Sequence, residues 1–283
     1  MKRKLSIIFI SLTIFFSYGI VGLAEGEQEL NWLEGPNTVE LGEKLANLQY
    51  DENYLFLNKE DTVIFNESIG NFETGLEIGS IYPKSEEESW FIIFEYEPTG
   101  YIEDAEKEKI DPNAILEAYK EGNEEYNKEL VEQGFSPIHV IGWTKEPYFD
   151  SETHNLTWAM ELESDGESMV NYNVRLLNRY GYVSAILVAD TKDLDRLIPE
   201  VNQILEGFTF QEGQQYEDFN PTTDKIAEYG LAALITGGIG AAAAKKGLFA
   251  ALLIFAKKFG VVIIAGIAGL WTVIKKKINS KQV

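Results

Sequence analysis

Hydrophobic and polar positions divide the chain into three regimes. It opens on Lys2-Arg3-Lys4, runs apolar over residues 5–16, and reaches small residues at Gly22-Leu23-Ala24. That order predicts a secretory signal peptide over 1–24, cut after Ala24. An uncleaved signal anchor is the alternative, although the apolar run is short for a span. At the other end, apolar runs cover 226–244, 247–256 and 259–274, separated by Lys245-Lys246 and Lys257-Lys258 and closed by Lys275-Lys276-Lys277. Glu228 is the one acid there. This predicts a helical membrane anchor over 225–277, with Leu231, Leu234, Gly237, Ile263, Ile264, Leu270 and Trp271 among its apolar residues and 278–283 as a polar end.

A bilayer core calls for about 20 residues of helix. The run 259–274 is shorter, but its flanking lysines can snorkel. The run 226–244 is nearly long enough, but Gly and Ala make it weakly apolar. Two topologies stay open. A two-span hairpin leaves Lys275, Lys276 and Lys277 outside, against the positive-inside tendency, and a single span over 259–274 places them inside. Ala233, Gly237 and Ala241 recur at four-residue spacing, which lets a second helix approach closely.

Between a disordered leader at 25–31 and the anchor lies one predicted extracytoplasmic domain, 32–224. Short strands are predicted at 39–41, 45–50, 54–57, 76–82, 90–97, 138–143, 155–163, 168–177 and 182–189. Trp90, Ile92, Phe94 and Tyr96 share one face of their strand while Phe91 and Ile93 occupy the other, the pattern of a central strand covered on both sides. Asn58 caps a helix that runs towards Ser68. Asp111-Pro112 starts a second, because the Asp oxygen caps free amides and Pro suits the first helical position, and Gly134 ends it. A third carries Leu194, Leu197, Ile198, Val201, Ile204 and Leu205 at three- and four-residue spacing, closed by Gly207. The fold class expected is α+β: an antiparallel sheet with flanking helices, followed by the C-terminal helical membrane anchor.

One hairpin decides which residues share a face. A two-residue Asp165-Gly166 loop sets Trp158 opposite Asn173 and Met160 opposite Asn171, mixing apolar with polar groups. A three-residue loop, Asp165-Gly166-Glu167, shifts every partner by one and pairs Trp158 with Val174 and Leu156 with Leu176. Burying the resulting apolar face is worth roughly 1.5–3 kcal/mol for each large side chain, so the three-residue register is expected. Its other face then collects Glu161, Asn171, Asn173 and Arg175. That face is either the solvated side of the sheet or a recognition surface, with Arg175 pairing an anionic ligand or holding Glu161 and the asparagines offering amide groups.

Charge narrows the partners. The formal net charge is -22 over 283 residues, and the ends are basic, so the middle is more acidic still. An acidic body repels phosphate backbones, which argues against nucleic acid. Its plain meaning is solubility, its sharper one a cationic partner or metal. With no cysteine, disulfides, thiolate metal sites and cysteine nucleophiles are excluded.

Chemistry is sparse. The two histidines, His139 and His154, lack the spacing of a helical zinc motif. Asp150, Ser151 and His154 supply the residue types of a hydrolytic triad, but without a nucleophile elbow. Glu95 with Glu97, or Glu161 with Glu163, mimic paired carboxylates of a kind that chance supplies in so acidic a chain. Asp190, Asp193 and Asp195 lack the remainder of a calcium loop. Gly237-Gly238-Ile239-Gly240 sits within the apolar tail and reads as packing, not as a phosphate cradle. No cofactor is called for.

The series Trp32-Leu33-Glu34-Gly35-Pro36, Gly70-Asn71, Ile141-Gly142-Trp143, Pro147-Tyr148-Phe149-Asp150, Thr153-His154-Asn155-Leu156-Thr157-Trp158-Ala159, Val170-Asn171-Tyr172 and Asn178-Arg179-Tyr180-Gly181, leading through Thr223–Leu231 into the Gly/Ala-rich tail, resembles the bacterial predicted membrane-anchored proteins of domain-of-unknown-function family 2167. The resemblance covers nearly all of the mature chain. It implies an exported, membrane-attached protein and carries no established activity or catalytic residue. The expectation is a non-enzymatic module at the cell membrane, its domain on the extracytoplasmic side, with the lipid bilayer and an envelope protein as partners. The alternative is an exported hydrolase or sugar-binding enzyme using Trp143, Asp150, His154 and Trp158. A third reading has the tail itself act in the bilayer.

Overall fold

The computed structural model describes residues 30–68, 73–105, 107–132 and 136–235. The signal peptide, most of the leader, and the anchor residues Gly237, Ile263, Ile264, Leu270 and Trp271 lie outside the described residues. Among the described residues no helix is long and apolar enough to cross a membrane.

The chain forms β1 (Leu33–Glu34), β2 (Asn37–Leu41), β3 (Ala46–Tyr50), β4 (Tyr54–Leu57), α1 (Lys59–Ser68), β5 (Glu77–Pro83), β6 (Phe91–Glu97), α2 (Pro112–Glu132), β7 (His139–Asp150), β8 (Asn155–Ser164), β9 (Glu167–Asn178), β10 (Gly181–Asp190), α3 (Leu194–Glu206), β11 (Phe208–Phe210) and α4 (Leu231–Ile235). Eight strands make one sheet in the order β1-β4-β5-β6-β10-β9-β8-β7, and β11-β3-β2 make a second. All of these pairings are antiparallel. This is the α+β architecture expected, with β6 and β10 central.

Local chemistry fixes the helix starts. The Asn58 Oδ1 accepts from the Asp61 amide at 2.9 Å, and the Asp111 Oδ1 accepts from the Asn113 and Ala114 amides, each at 3.1 Å. Side-chain oxygens thereby satisfy amides that a first turn leaves free. At the end of α3 the chain enters β11 through Gly207, where a Cβ would lie 2.0 Å from the Gln49 carbonyl oxygen. Only glycine allows that approach.

Both faces of the large sheet are covered. On one, Ile92, Phe94, Val174, Val183, Ala185 and Leu187 pack with Leu194, Leu197, Val201 and Ile204 of α3 and with Leu41 and Leu48 of the small sheet. On the other, α1 contributes Phe65 to a cluster with Leu57, Tyr82, Phe91 and Ile93. Further along that face, Ile115 of α2 joins Leu156, Trp158, Leu177 and Tyr182. Burial on two sides explains why β10 is buried at every position but its last.

The β8–β9 hairpin takes the two-residue register, which overturns the three-residue loop. Ser164 faces Glu167, Trp158 faces Asn173 and Met160 faces Asn171. Asp165 and Gly166 have φ of 54° and 82°, the two left-handed residues of a tight hairpin turn. The expectation failed because it assumed one solvated face; with both faces covered, no register leaves the apolar residues outside. Edge strand β7 also runs on to Asp150, beyond the expected Trp143, through register shifts that interrupt its alternation and admit Pro147.

Leu231 and Leu234, assigned from sequence to the anchor, are fully buried and belong to the cluster that holds Trp158, Leu177 and Tyr182. A parallel bridge joins Tyr101 to Ile226, with Tyr101 N donating to Lys225 O and Ala227 N to Tyr101 O, both at 2.8 Å. The packed domain therefore continues past 224 to Ile235. Leu234→Ala is expected to lower the unfolding free energy by about 2–5 kcal/mol in urea titration, the loss typical of a core position; a lipid-facing residue would show almost none.

Candidate functional site

Four polar side chains stand side by side across the face that carries α1 and α2. Glu77 of β5 pairs with Glu95 of β6, Glu95 with Ser184 of β10, and Ser184 with Arg175 of β9. Their exposures are 1 %, 4 %, 3 % and 7 %. The row runs between the two apolar clusters of this face, where a polar group has lost water and needs a partner.

Arg175 lacks part of its set. Its guanidinium carbon lies 5.0 Å from the Trp158 ring centroid and 5.4 Å from that of Tyr182, so two π faces stabilise the cation. Its Nε and Nη1 have no hydrogen-bond acceptor. Among the described residues no ion pair joins it to either glutamate of the row. A buried charged donor left unmet costs more than the ordinary 1–3 kcal/mol of an unsatisfied group. Asn173 continues this face opposite Trp158, its Nδ2 donating to the Asn171 carbonyl at 3.3 Å, and the buried Asn171 Oδ1 has no donor.

The acidic end is held by Thr74. Its amide donates to Glu77 Oε1 at 2.7 Å and its hydroxyl to Glu95 Oε1 at 2.9 Å, while Glu77 Oε2 has no donor. Burial pushes the Glu95 carboxyl up to about 7, with Glu77 and Glu97 adding to the rise and Arg175 and the Thr74 hydroxyl opposing it. Tyr182 donates to Glu97 Oε2 at 2.5 Å. From α2, Tyr119 donates to the Ile235 carbonyl; burial raises its phenol, and the charge of Arg175 opposes the rise.

The structure gathers some of the residues singled out from sequence and disperses others. Trp158, Asn171, Asn173 and Arg175 share the face of the row. Trp143 belongs to its α2 end, where Nε1 donates to the Pro112 carbonyl at 2.9 Å and the ring meets Tyr119 edge-on. Glu161 pairs with Val170, so it projects from the opposite face and cannot be held by Arg175; it accepts from Ser168 at 2.5 Å. Asp150 closes a turn through the Glu152 and Thr153 amides, and the former chiefly holds its carboxyl below the usual value. His154, at φ 54°, stacks on Tyr216 at 4.2 Å and directs Nε2 at Glu217, and Ser151 accepts from Lys107. Asp150, Ser151 and His154 are thus each engaged elsewhere and form no relay. Among the described residues no three acids or histidines are grouped to hold a metal.

Glu77, Ser184 and Tyr182 are not among the residues that the sequence pattern points to, and Glu95 there looks like one of many chance acids. The available signal was a polar residue inside a buried run: Glu95 within Phe91–Glu97 and Ser184 within Gly181–Asp190.

Glu95 carries a pH signature. Its folded-state value lies above the ordinary 4.5, so its contribution to stability is complete below that value and is lost as pH rises through about 7. Glu95→Gln is expected to remove this dependence. Relative to wild type, the variant should gain about 3 kcal/mol between pH 4.5 and pH 8 in denaturant titrations, and equal pH slopes for the two proteins would show that Glu95 is not held in this way.

Comparison with solved structures returns distant matches. Cyanobacterial PsbP (CyanoP) from Synechocystis is 10 % identical, covers 66 % of this chain and 95 % of its own, and has a TM-score of 0.34. LpqN of Mycobacterium tuberculosis, described as involved in cell envelope biogenesis, is 13 % identical, covers 65 % and 92 %, and has a TM-score of 0.30. Neither score carries a functional argument. Curated proteins give no match. The sequence model of one family covers residues 33–268, and by that span the chain belongs to the proteins of unknown function designated DUF2167.

Proposed function

We propose that the domain is a non-enzymatic binding module that takes a small ligand at the buried polar row, with Arg175 receiving an anionic group. One observation carries this reading: a guanidinium nine-tenths buried between Trp158 and Tyr182 keeps Nε and Nη1 without acceptors. A carboxylate matches the planar donor fork of arginine, and charge-assisted bonds in a dry site are strong. The hydrolase alternative loses support because Asp150, Ser151 and His154 are engaged separately.

The same proposal places the module outside the cytoplasm, attached to the bilayer by the tail. The support is the basic-apolar-small order of 1–24 and the lysine-flanked apolar run at 259–274. Because 226–235 packs into the domain, the run 226–244 retains only residues 236–244 for lipid, far short of the roughly 20 a helix needs. A single span at 259–274, with Lys275, Lys276 and Lys277 on the cytoplasmic side, is therefore the topology adopted here.

The purified full-length chain should be titrated calorimetrically with acetate, butyrate and 4-aminobutyrate. At least one should bind, and Arg175→Lys, which keeps the charge but not the fork, should weaken that binding about tenfold or more, equivalent to 1.4 kcal/mol per decade. Absence of binding by all three, or equal affinity in the variant, would remove the basis for the site. Attachment is tested separately by fractionation. A chain ending at Ile235 should appear in the soluble fraction while the full chain sediments with membranes, and sedimentation of both would refute the tail assignment.

A further inference from the structure

We infer that the ligand of the row is a small zwitterion, such as an amino acid, whose cationic group faces Glu95 and Glu77 while its carboxylate meets Arg175. This inference rests on the binding reading above and adds the ligand class.

The row leaves groups unmet at each end. Arg175 has donors without acceptors, and Glu77 Oε2 is an acceptor without a donor. These groups sit on one face, in register, yet Ser184 stands between Glu95 and Arg175. Two strand spacings of about 4.8 Å separate the backbones that carry those charges. Among the described residues the gap is not closed by an ion pair. Side chains able to neutralise each other are thus held apart, with Arg175 and Glu77 each keeping an unmet group.

Simpler ligands fit worse. A bare anion at Arg175 brings a further negative charge beside two buried glutamates, and repulsion is strong where the effective dielectric constant is low. A bare cation at the glutamates faces the unmet guanidinium. A molecule carrying both charges meets each end with its opposite and adds no net charge to the row. Ser184 and Asn173 offer neutral hydrogen-bonding groups between and beside those ends, and Trp158 and Tyr182 present ring surface to a short carbon chain.

The test extends the calorimetry of the full-length chain to glycine, 4-aminobutyrate, butyrate and butylamine at pH 8. At least one amino acid should bind tenfold or more tightly than both butyrate and butylamine. Glu95→Gln should weaken that binding about tenfold while leaving butyrate unchanged or tighter. Glu77→Gln should act in the same direction, and thermal unfolding of each variant would confirm that it remains folded. Butyrate binding as tightly as the amino acids, with no loss in Glu95→Gln, would overturn the zwitterion and leave the Arg175 anion site standing. Failure of all four probes to bind would overturn both, as would amino-acid binding that Arg175→Lys leaves unchanged.

Discussion

Strands β6, β10 and β9 are covered on both sides over most of their length, and that condition governs the rest of the molecule. Each polar group on them must find a partner within the protein or stay unsatisfied at a cost of about 1–3 kcal/mol, more when it is charged. Apolar side chains meet the condition simply, and most positions are filled by them. The row Glu77, Glu95, Ser184 and Arg175 does not meet it alone. It persists because the surrounding apolar clusters offset it and because Thr74, Trp158 and Tyr182 supply part of what its charges need.

The two faces of the sheet divide this labour. The face beneath α3 and the small sheet is apolar from Leu41 to Ile204 and anchors the fold. The face beneath α1 and α2 is split into two apolar patches with the polar row between them. Among the described residues the costly charges are confined to one side, while the other carries only a neutral unmet group, the Asn178 Nδ2. The partly unmet Arg175 guanidinium is the most costly of these groups.

Much of the framework was legible in the sequence. Helices α1 and α2 were marked by side-chain caps, α3 by its apolar spacing, and the two-sided burial of β6 by its paired apolar faces. The β8–β9 register departs from the expectation because both faces of the sheet are covered, so apolar pairing does not select the register and the Asp165-Gly166 turn does. In β7, register shifts hid the extension to Asp150, and β11 is three residues that pair only because Gly207 brings them against β3. Leu231 and Leu234 were assigned to lipid because hydropathy alone does not distinguish a domain core from a bilayer. Of the site, the sequence pattern points to Trp158, Asn171, Asn173 and Arg175, but it puts Trp158 on the apolar face and the other three with Glu161 on a polar one. Glu77, Glu95 and Ser184 join them only through pairings between strands remote in sequence, which no local pattern encodes.

The end of the described chain has a mechanical consequence. Ile226 is bridged to Tyr101, the Asp224 carboxylate is gripped by the Arg179 guanidinium at 2.6 and 3.0 Å, and the Ile235 carbonyl accepts from Tyr119 of α2. Residues 224–235 are thus clamped at three points along their length. One of those points is Tyr119 of α2, the helix that also covers one end of the polar row, so a displacement of α2 would be felt at the row and at this segment together.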